Sequence, residues 1–259
     1  MPDERVEANR ILLRDVCALL AAHGDDAVLI GGWVPEVRFP TARPPHIGSI
    51  DVDLLLRLRR EQHNTVVALL LKNGFWRGQH RYQFFKDVQI GSGRTIPARL
   101  DLLTSSRHHE EFFESAEASL QPVHGVDIAF RDNSVLPVGP AGDVEIRVAG
   151  IAAFLTMKGI ALHDRDPQRA KDAYDVHYCL EQHPDGITGI VAEFERFRDD
   201  ELVGEALGKI AGKFRDDEDE GPGMVADVEE IVGDYRAIRK REVYTRVRDF
   251  LAALAAAQE

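Results

Sequence analysis

The stretch "HIGSIDVDLLLRL", residues 46–58, sets Asp51 and Asp53 two positions apart in an otherwise apolar run. Val52 lies between them, and Leu54, Leu55 and Leu56 follow. Strand interiors are poor in Asp, and a buried carboxylate without a partner is costly. In a strand, residues i and i+2 face the same way, so the two carboxylates project together while Val52 points to the core side. Held that close they repel, and each raises the other's pKa unless a cation sits between them. Mg²⁺ meets that need, because it takes hard oxygen ligands, usually one or two carboxylates plus substrate phosphates. The run therefore reads as a core strand that carries a cation site.

Working outward, "RLDLL" (99–103) sets Asp101 in a second apolar strand. Paired beside the first strand, it brings three carboxylates to one edge. Three carboxylates can bind two metals ~3.5–4 Å apart, the arrangement used for in-line phosphoryl or nucleotidyl transfer. Upstream, "LIGGW" (29–33) is a strand running into Gly31-Gly32 and a helix start. Glycines there let backbone N–H groups approach a phosphate, and a helix N-terminus favours the anion. A Gly-Gly after a strand is by itself only a tight turn. Its place ahead of an Asp-x-Asp strand is what gives it weight.

The rest of the chain frames these motifs. Residues 5–24 repeat apolar positions at helical spacing and stop at Gly24, which reads as a C-cap. Residues 26–32 and 50–58 read as strands, 33–39 as two helical turns with Pro35 in the first, and 40–49 as a Pro-rich loop. Residues 60–75 form an amphipathic helix pattern closed by Asn73-Gly74, and 81–106 a strand, a Gly-rich turn and a strand. Residues 144–164 run from a short strand into a helix. From residue 168 the pattern is helical: 168–183, then roughly 187–213 and 224–257, split by "RDDEDEGPG" (215–223). That acidic run reads as a solvated loop, since a block of like charges repels itself.

The 259 residues, 44% hydrophobic and 29% charged, suit a soluble globular chain of one large domain or two small ones. No apolar run approaches the ~20 residues of a membrane span. "MPDERVEANR" has no apolar stretch of the secretory kind. Cys17 and Cys179 lie in helix-like apolar patterns, as expected of reduced core thiols in a cytoplasmic protein. The net charge of -12 argues against general affinity for nucleic acid, but it is uneven. Residues 1–110 hold 15 Lys+Arg and 13 Asp+Glu, whereas 111–259 hold 17 and 31. The half with the paired Asp is thus the half that tolerates a polyanion.

In this order, "LIGG", "SIDVD" and "RLDLL" resemble the nucleotidyltransferase superfamily typified by DNA polymerase beta. Its signature is hGG or hGS, a short helix, a loop, [ST]-x-D-x-D, and a third carboxylate on a later strand. Within it the chain looks most like the AbiEii/MenT group of toxin nucleotidyltransferases, which also carries a helical Lys and a downstream R-x-K-D-x-x-D element. Here "FLTMKGIAL" supplies Lys158, and "RAKDAYDVHY" supplies Arg169, Lys171, Asp172 and Asp175. The resemblance covers about residues 25–183.

It implies an α+β fold, a small mixed-sheet nucleotidyltransferase core followed by a helical C-terminal region. Residues 1–24 would be an N-terminal helix packing on the core, 25–148 the core, and 149–259 the helical domain. It implies Asp51, Asp53 and Asp101 as ligands of two Mg²⁺, with Mn²⁺ as a substitute, and Asp101 as an aid in deprotonating an acceptor hydroxyl. Gly31, Gly32 and Ser49 would cradle phosphates, Lys158 would neutralise leaving pyrophosphate, and Lys171, Asp172 and Asp175 would serve nucleotide binding. The implied partners are an NTP (ATP, GTP, CTP or UTP), an acceptor RNA such as the 3′ end of tRNA, and a cognate antitoxin, with no membrane. Two departures stand out. The gap from Gly32 to Asp51 is longer than usual, so the Pro-rich loop reads as an insertion. Trp33 replaces the small polar residue that usually follows the glycines.

Other readings compete. The same scaffold could adenylylate a small hydroxyl-bearing antibiotic of the aminoglycoside or lincosamide type, whose positive charge would suit the acidic half. It could also be a degenerate binding module, against which the presence of all three carboxylates speaks. Asp101 could simply pair with Arg99, and Lys171 and Asp175 could form an ordinary i,i+4 helix pair. His108 and His109 read as surface, Trp33, Phe75 and Trp76 as core or pocket wall, and Arg57, Arg59, Arg60, Arg77 and Arg81 as solvated surface or, alternatively, as a track for an RNA backbone.

Overall fold

A computed structural model describes residues 3–112, 120–139, 142–164 and 169–257. They fall into two units, one of residues 1–40 and 45–149, the other of 41–44 and 150–259.

In the first unit the apolar runs become one sheet. Helix α1 (Glu4–Leu19) starts at Asp3, whose carboxylate accepts the Arg5 amide at 2.9 Å. The helix ends before Gly24, and the chain leaves through a 3₁₀ turn, Ala21–His23. Gly24 has a right-handed φ of −59° and its amide donates to the Ala21 carbonyl, so it closes the 3₁₀ turn and is not a left-handed cap of α1. Strand β1 (Ala27–Ile30) follows, then a 3₁₀ turn (Gly31–Trp33) and α2 (Val34–Arg38), with Pro35 in the first turn as expected. Next come β2 (Val52–Leu56), α3 (Arg60–Lys72), β3 (Trp76–Arg77), β4 (Gln83–Gln89), β5 (Thr95–Ser105) and α4 (Ser106–Phe112). The unit closes with β6 (Gln121–Val123), α5 (Ile128–Arg131), β7 (Asn133–Val138) and β8 (Val144–Ala149).

Among the described residues the strand order is β3-β4-β5-β2-β1-β8-β7, with β6 also on β5. β2 is central, antiparallel to β1 and parallel to β5, so the sheet is mixed. This explains why the three leucines are consecutive rather than alternating. Leu54, Leu55 and Leu56 are all fully buried, because both faces of a central strand are covered. Each contributes roughly 1.5–3 kcal/mol of transfer free energy, and a charge placed at any of them would break the sheet. Helix α1 lies against β4, β5 and β8.

The second unit is helical: α6 (Ile151–Asp164), α7 (Arg169–Gln182), α8 (Gly186–Phe194), α9 (Glu201–Lys213), α10 (Glu220–Val228) and α11 (Asp234–Ala256). α6 is buried at every position from Ile151 to Leu155, the mark of a core helix. At Gly159 an added Cβ would lie 2.7 Å from the Ala206 carbonyl, so α6 and α9 approach through a glycine.

The two long helical stretches read from the sequence are each broken once more. Asp200 accepts the Leu202 and Val203 amides and starts α9, while Glu230 (φ 56°) and Gly233 (φ 65°) turn the chain before α11. The acidic run also differs from the expectation. Its last residues, Glu220 to Gly223, open α10, where a proline in the first turn costs no hydrogen bond. Its charges are paired rather than merely solvated: Arg215 with Asp219 at 2.9 Å, Arg241 with Asp217 at 3.1 Å, Lys240 with Glu218 at 2.6 Å, and Lys213 with Glu220.

His177 of α7 is 1% exposed, and its Nδ1 has no hydrogen-bond partner among the described residues. Burial, reinforced by Arg239 and Arg246 and opposed by Glu181 and Glu229, holds its pKa down from 6.5 to about 4. The unfolded chain therefore takes up this proton before the folded one does. Unfolding free energy should fall as pH drops from about 6.5 to about 4, by about 3 kcal/mol, and then level off. Urea unfolding across that interval measures it, and His177→Gln should flatten the slope. Among the described residues no helix is long and apolar enough to cross a membrane.

Candidate metal centre

The parallel register of β2 and β5 pairs Val52 with Leu100 and Asp53 with Asp101. Asp51 immediately precedes β2. One carboxylate oxygen from each of Asp51, Asp53 and Asp101 lies within 4.8 Å of the others. Asp101 is buried, whereas Asp51 and Asp53 are half-buried. The donor set is entirely carboxylate oxygen, which matches hard cations such as Mg²⁺ or Mn²⁺ and not zinc, which prefers sulfur and nitrogen. The residues fit such an ion.

The Asp51 and Asp101 carboxylates are held by neighbouring side chains. The Ser49 hydroxyl donates to Asp51 Oδ1 at 2.7 Å, and the Trp33 indole N–H donates to the Asp51 carbonyl at 2.7 Å. Ser49 therefore orients a carboxylate here, its one hydroxyl hydrogen being engaged, and Trp33 is fully buried core. Arg99 donates through Nε to Asp101 Oδ1 at 2.8 Å and through Nη2 to Asp101 Oδ2. Its Nη1 is 3.9 Å from Asp51 Oδ2. Burial pushes the Asp101 carboxyl up, Arg99 pulls it down, and with Asp51 nearby the balance lies above the ordinary value. Pairing with Arg99 and membership of the triad are thus not alternatives; Asp101 does both.

Gly31 is required for a different reason than a phosphate cradle alone. Its φ is +72°, and a Cβ there would sit 2.1 Å from Asp53 Oδ2, because Ile30 pairs with Asp53 in the β1–β2 ladder. Gly31→Ala should lose at least about 2 kcal/mol from the left-handed backbone alone and displace Asp53 as well. A thermal melt with and without Mn²⁺ checks both effects: a lower melting point and a smaller Mn²⁺-induced rise. Gly32 is buried in the 3₁₀ turn beside it.

Asn9 was not among the residues singled out from the sequence. It is 1% exposed; its amide donates to the Ile50 carbonyl at 2.9 Å, and its oxygen accepts the Arg99 amide at 2.9 Å. One side chain thus ties the residue before Asp51 to the middle of β5, two residues before Asp101. The available signal was a polar residue on the apolar stripe of α1, among Ala8, Leu12, Leu13 and Val16.

In the helical unit, Lys158 of α6 lies 2.7 Å from Asp172 Oδ1 and 2.6 Å from Asp175 Oδ2 on α7. Lys171 adds bonds of 3.2 Å to both Asp175 oxygens, the i,i+4 pair expected from spacing. Asp175 is fully buried. Burial acts to lower the Lys158 pKa, but Asp175 and Asp172 overcome it and raise it, so the ammonium stays charged. The structure gathers these four residues into one balanced cluster, and Asp51, Asp53 and Asp101 into another.

Other residues fall where the chemistry puts them. His108 is half-buried rather than on the surface, because its Nε2 donates to the Leu58 carbonyl at 2.8 Å. Phe75 is core, but Trp76 on the edge strand is 41% exposed, with its ring 6.1 Å from that of Phe85. Arg57 lies over the Phe130 ring at 4.6 Å.

A family model described as the nucleotidyl transferase AbiEii toxin of type IV TA systems matches residues 16–256. No curated protein matches the chain. The crystal structure of an antigenic nucleotidyltransferase-like protein from Paracoccidioides brasiliensis is similar in fold, with a TM-score of 0.54 at 13% identity. The match covers 80% of this chain and 88% of that one.

Proposed function

Since the chain belongs to the AbiEii nucleotidyltransferase toxin family, we propose that it moves an NMP from an NTP to an acceptor hydroxyl at Asp51, Asp53 and Asp101, with Mg²⁺ as cofactor. The observation that carries this reading is the parallel register placing Asp53 beside Asp101, with Asp51 completing a triad of oxygens within 4.8 Å. When bound, magnesium would neutralise the triphosphate and favour the deprotonated acceptor. Mn²⁺ has the same ligand preference.

The chain's own part is positioning. Asp51 and Asp53 hold the ions, Asp51 being oriented by Ser49 and Trp33. Asp101 helps remove the proton of the acceptor hydroxyl. The acceptor oxygen bonds to the α-phosphorus, and the bond to pyrophosphate breaks. The backbone N–H groups of Gly31 and Gly32 are proposed to meet phosphate oxygens. Lys158, Lys171, Asp172 and Asp175 complete the proposal on the nucleotide side. Because two carboxylates already match the Lys158 ammonium, this role requires it to exchange one of them for a phosphate oxygen.

The acceptor we propose is RNA, such as the 3′ end of tRNA, in a cytoplasmic toxin countered by a cognate antitoxin. Incubation with each α-labelled NTP, Mg²⁺ and total RNA should give a labelled RNA band with one NTP preferred. A second reading, transfer to a cationic antibiotic, is favoured by the 31 acidic against 17 basic residues of 111–259. The same incubation with a drug panel in place of RNA separates the two.

A further inference from the structure

Arg99 has a place in the triad that the proposed chemistry does not use. It stands on β5 two residues before Asp101, so both side chains leave the same face of the strand. Its planar fork takes both Asp101 oxygens, and its remaining nitrogen lies 3.9 Å from Asp51 Oδ2. The side chain is 31% exposed, half-withdrawn from solvent. Three carboxylates gathered within 4.8 Å repel strongly, and a guanidinium is a cation that cannot discharge by losing its proton.

We infer that Arg99 is a resident counter-cation of the triad, which must leave Asp101 before a divalent ion can use both of that residue's oxygens. The inference rests on the reading of the triad as a cation site. Arg99 therefore competes with metal rather than merely bracing a ligand. Once released, its fork has the geometry to take two oxygens of a phosphate. Uptake of an ion at Asp101 and arrival of a triphosphate then favour one another, since the phosphate gives the displaced guanidinium a new partner.

A purely structural ion pair predicts the opposite sign. If Arg99 only oriented Asp101, removing it would loosen a ligand and weaken metal binding. As a competitor, its removal should tighten binding. The test is a Mn²⁺ titration of the full chain, followed by electron paramagnetic resonance and calorimetry, for wild type, Arg99→Gln, Arg99→Lys and Asp53→Asn. Arg99→Gln should bind Mn²⁺ about tenfold more tightly or better, with Arg99→Lys in between, because Lys keeps the charge but loses the fork. In chelator, Arg99→Gln should also melt below wild type and recover further when Mn²⁺ is added. Should Arg99→Gln not fold, Arg99→Lys carries the sign of the effect alone. Binding in Arg99→Gln and Arg99→Lys no tighter than in wild type, with loss only in Asp53→Asn, overturns the inference and leaves the metal centre standing. No Mn²⁺ binding in any of the four proteins overturns the metal centre and this inference with it.

Discussion

Asp53→Asn is expected to lower nucleotidyl transfer by about a thousandfold or more while leaving the fold intact, since transfer of this kind depends on ligand-held charge rather than covalent chemistry. Asn has the shape of Asp, so it fits the space that Gly31 leaves and keeps the β1–β2 pairing with Ile30. What it lacks is the charge. Removing one of three carboxylates within 4.8 Å relieves repulsion, so thermal stability should hold or rise while activity disappears. Labelled-NTP incorporation measured beside a thermal melt separates this from misfolding. Full incorporation by Asp53→Asn would remove the triad from the mechanism.

Lys158→Met should be the most damaging single change to stability in the helical unit. It leaves Asp172 and Asp175, which are 6% and 0% exposed, without their shared cation. Breaking a buried pair in this way costs about 3–5 kcal/mol, because an uncompensated charge stays inside. Lys171 remains on Asp175 and moderates the loss for that carboxylate only. For a chain of this size the melting temperature should fall by about 10 °C. Adding Asp172→Asn and Asp175→Asn to Lys158→Met should return much of it, since replacing an entire charged group is far cheaper than removing one member. A variant as stable as wild type would show that the cluster's charges are not desolvated as described.

The central strand and its two aspartates were legible because an apolar run this dense tolerates carboxylates only for a reason. The α+β order was legible too, from short continuous apolar runs in the first half that give way to helical spacing from residue 168. The register between β2 and β5 was not, because nothing local in "RLDLL" says which strand lies beside it. Ser49 was read as a phosphate ligand, and its bond to Asp51 was not foreseen. Ser49 lies in the loop ahead of β2, where strand alternation gives no guide to that bond. Helix limits failed where glycine and proline mislead: "EGPG" reads as a breaker but opens α10, and Gly24 reads as the cap of α1 but follows a 3₁₀ turn that comes after that helix. Asn9 escaped because a lone amide on an apolar stripe carries no motif.

That amide has a practical consequence for shortened forms of the chain. Along with Asn9, Glu4 reaches Arg94 at 2.5 Å and Glu7 accepts the Gly91 amide at 2.7 Å, so the opening turns of α1 grip the hairpin of β4 and β5. A version trimmed to begin past residue 9 would keep every strand yet strand two peptide groups, the carbonyl of Ile50 and the amide of Arg99, without their bonds. Such a protein should express and fold but work poorly, and purification tags are better appended ahead of this helix than exchanged for it.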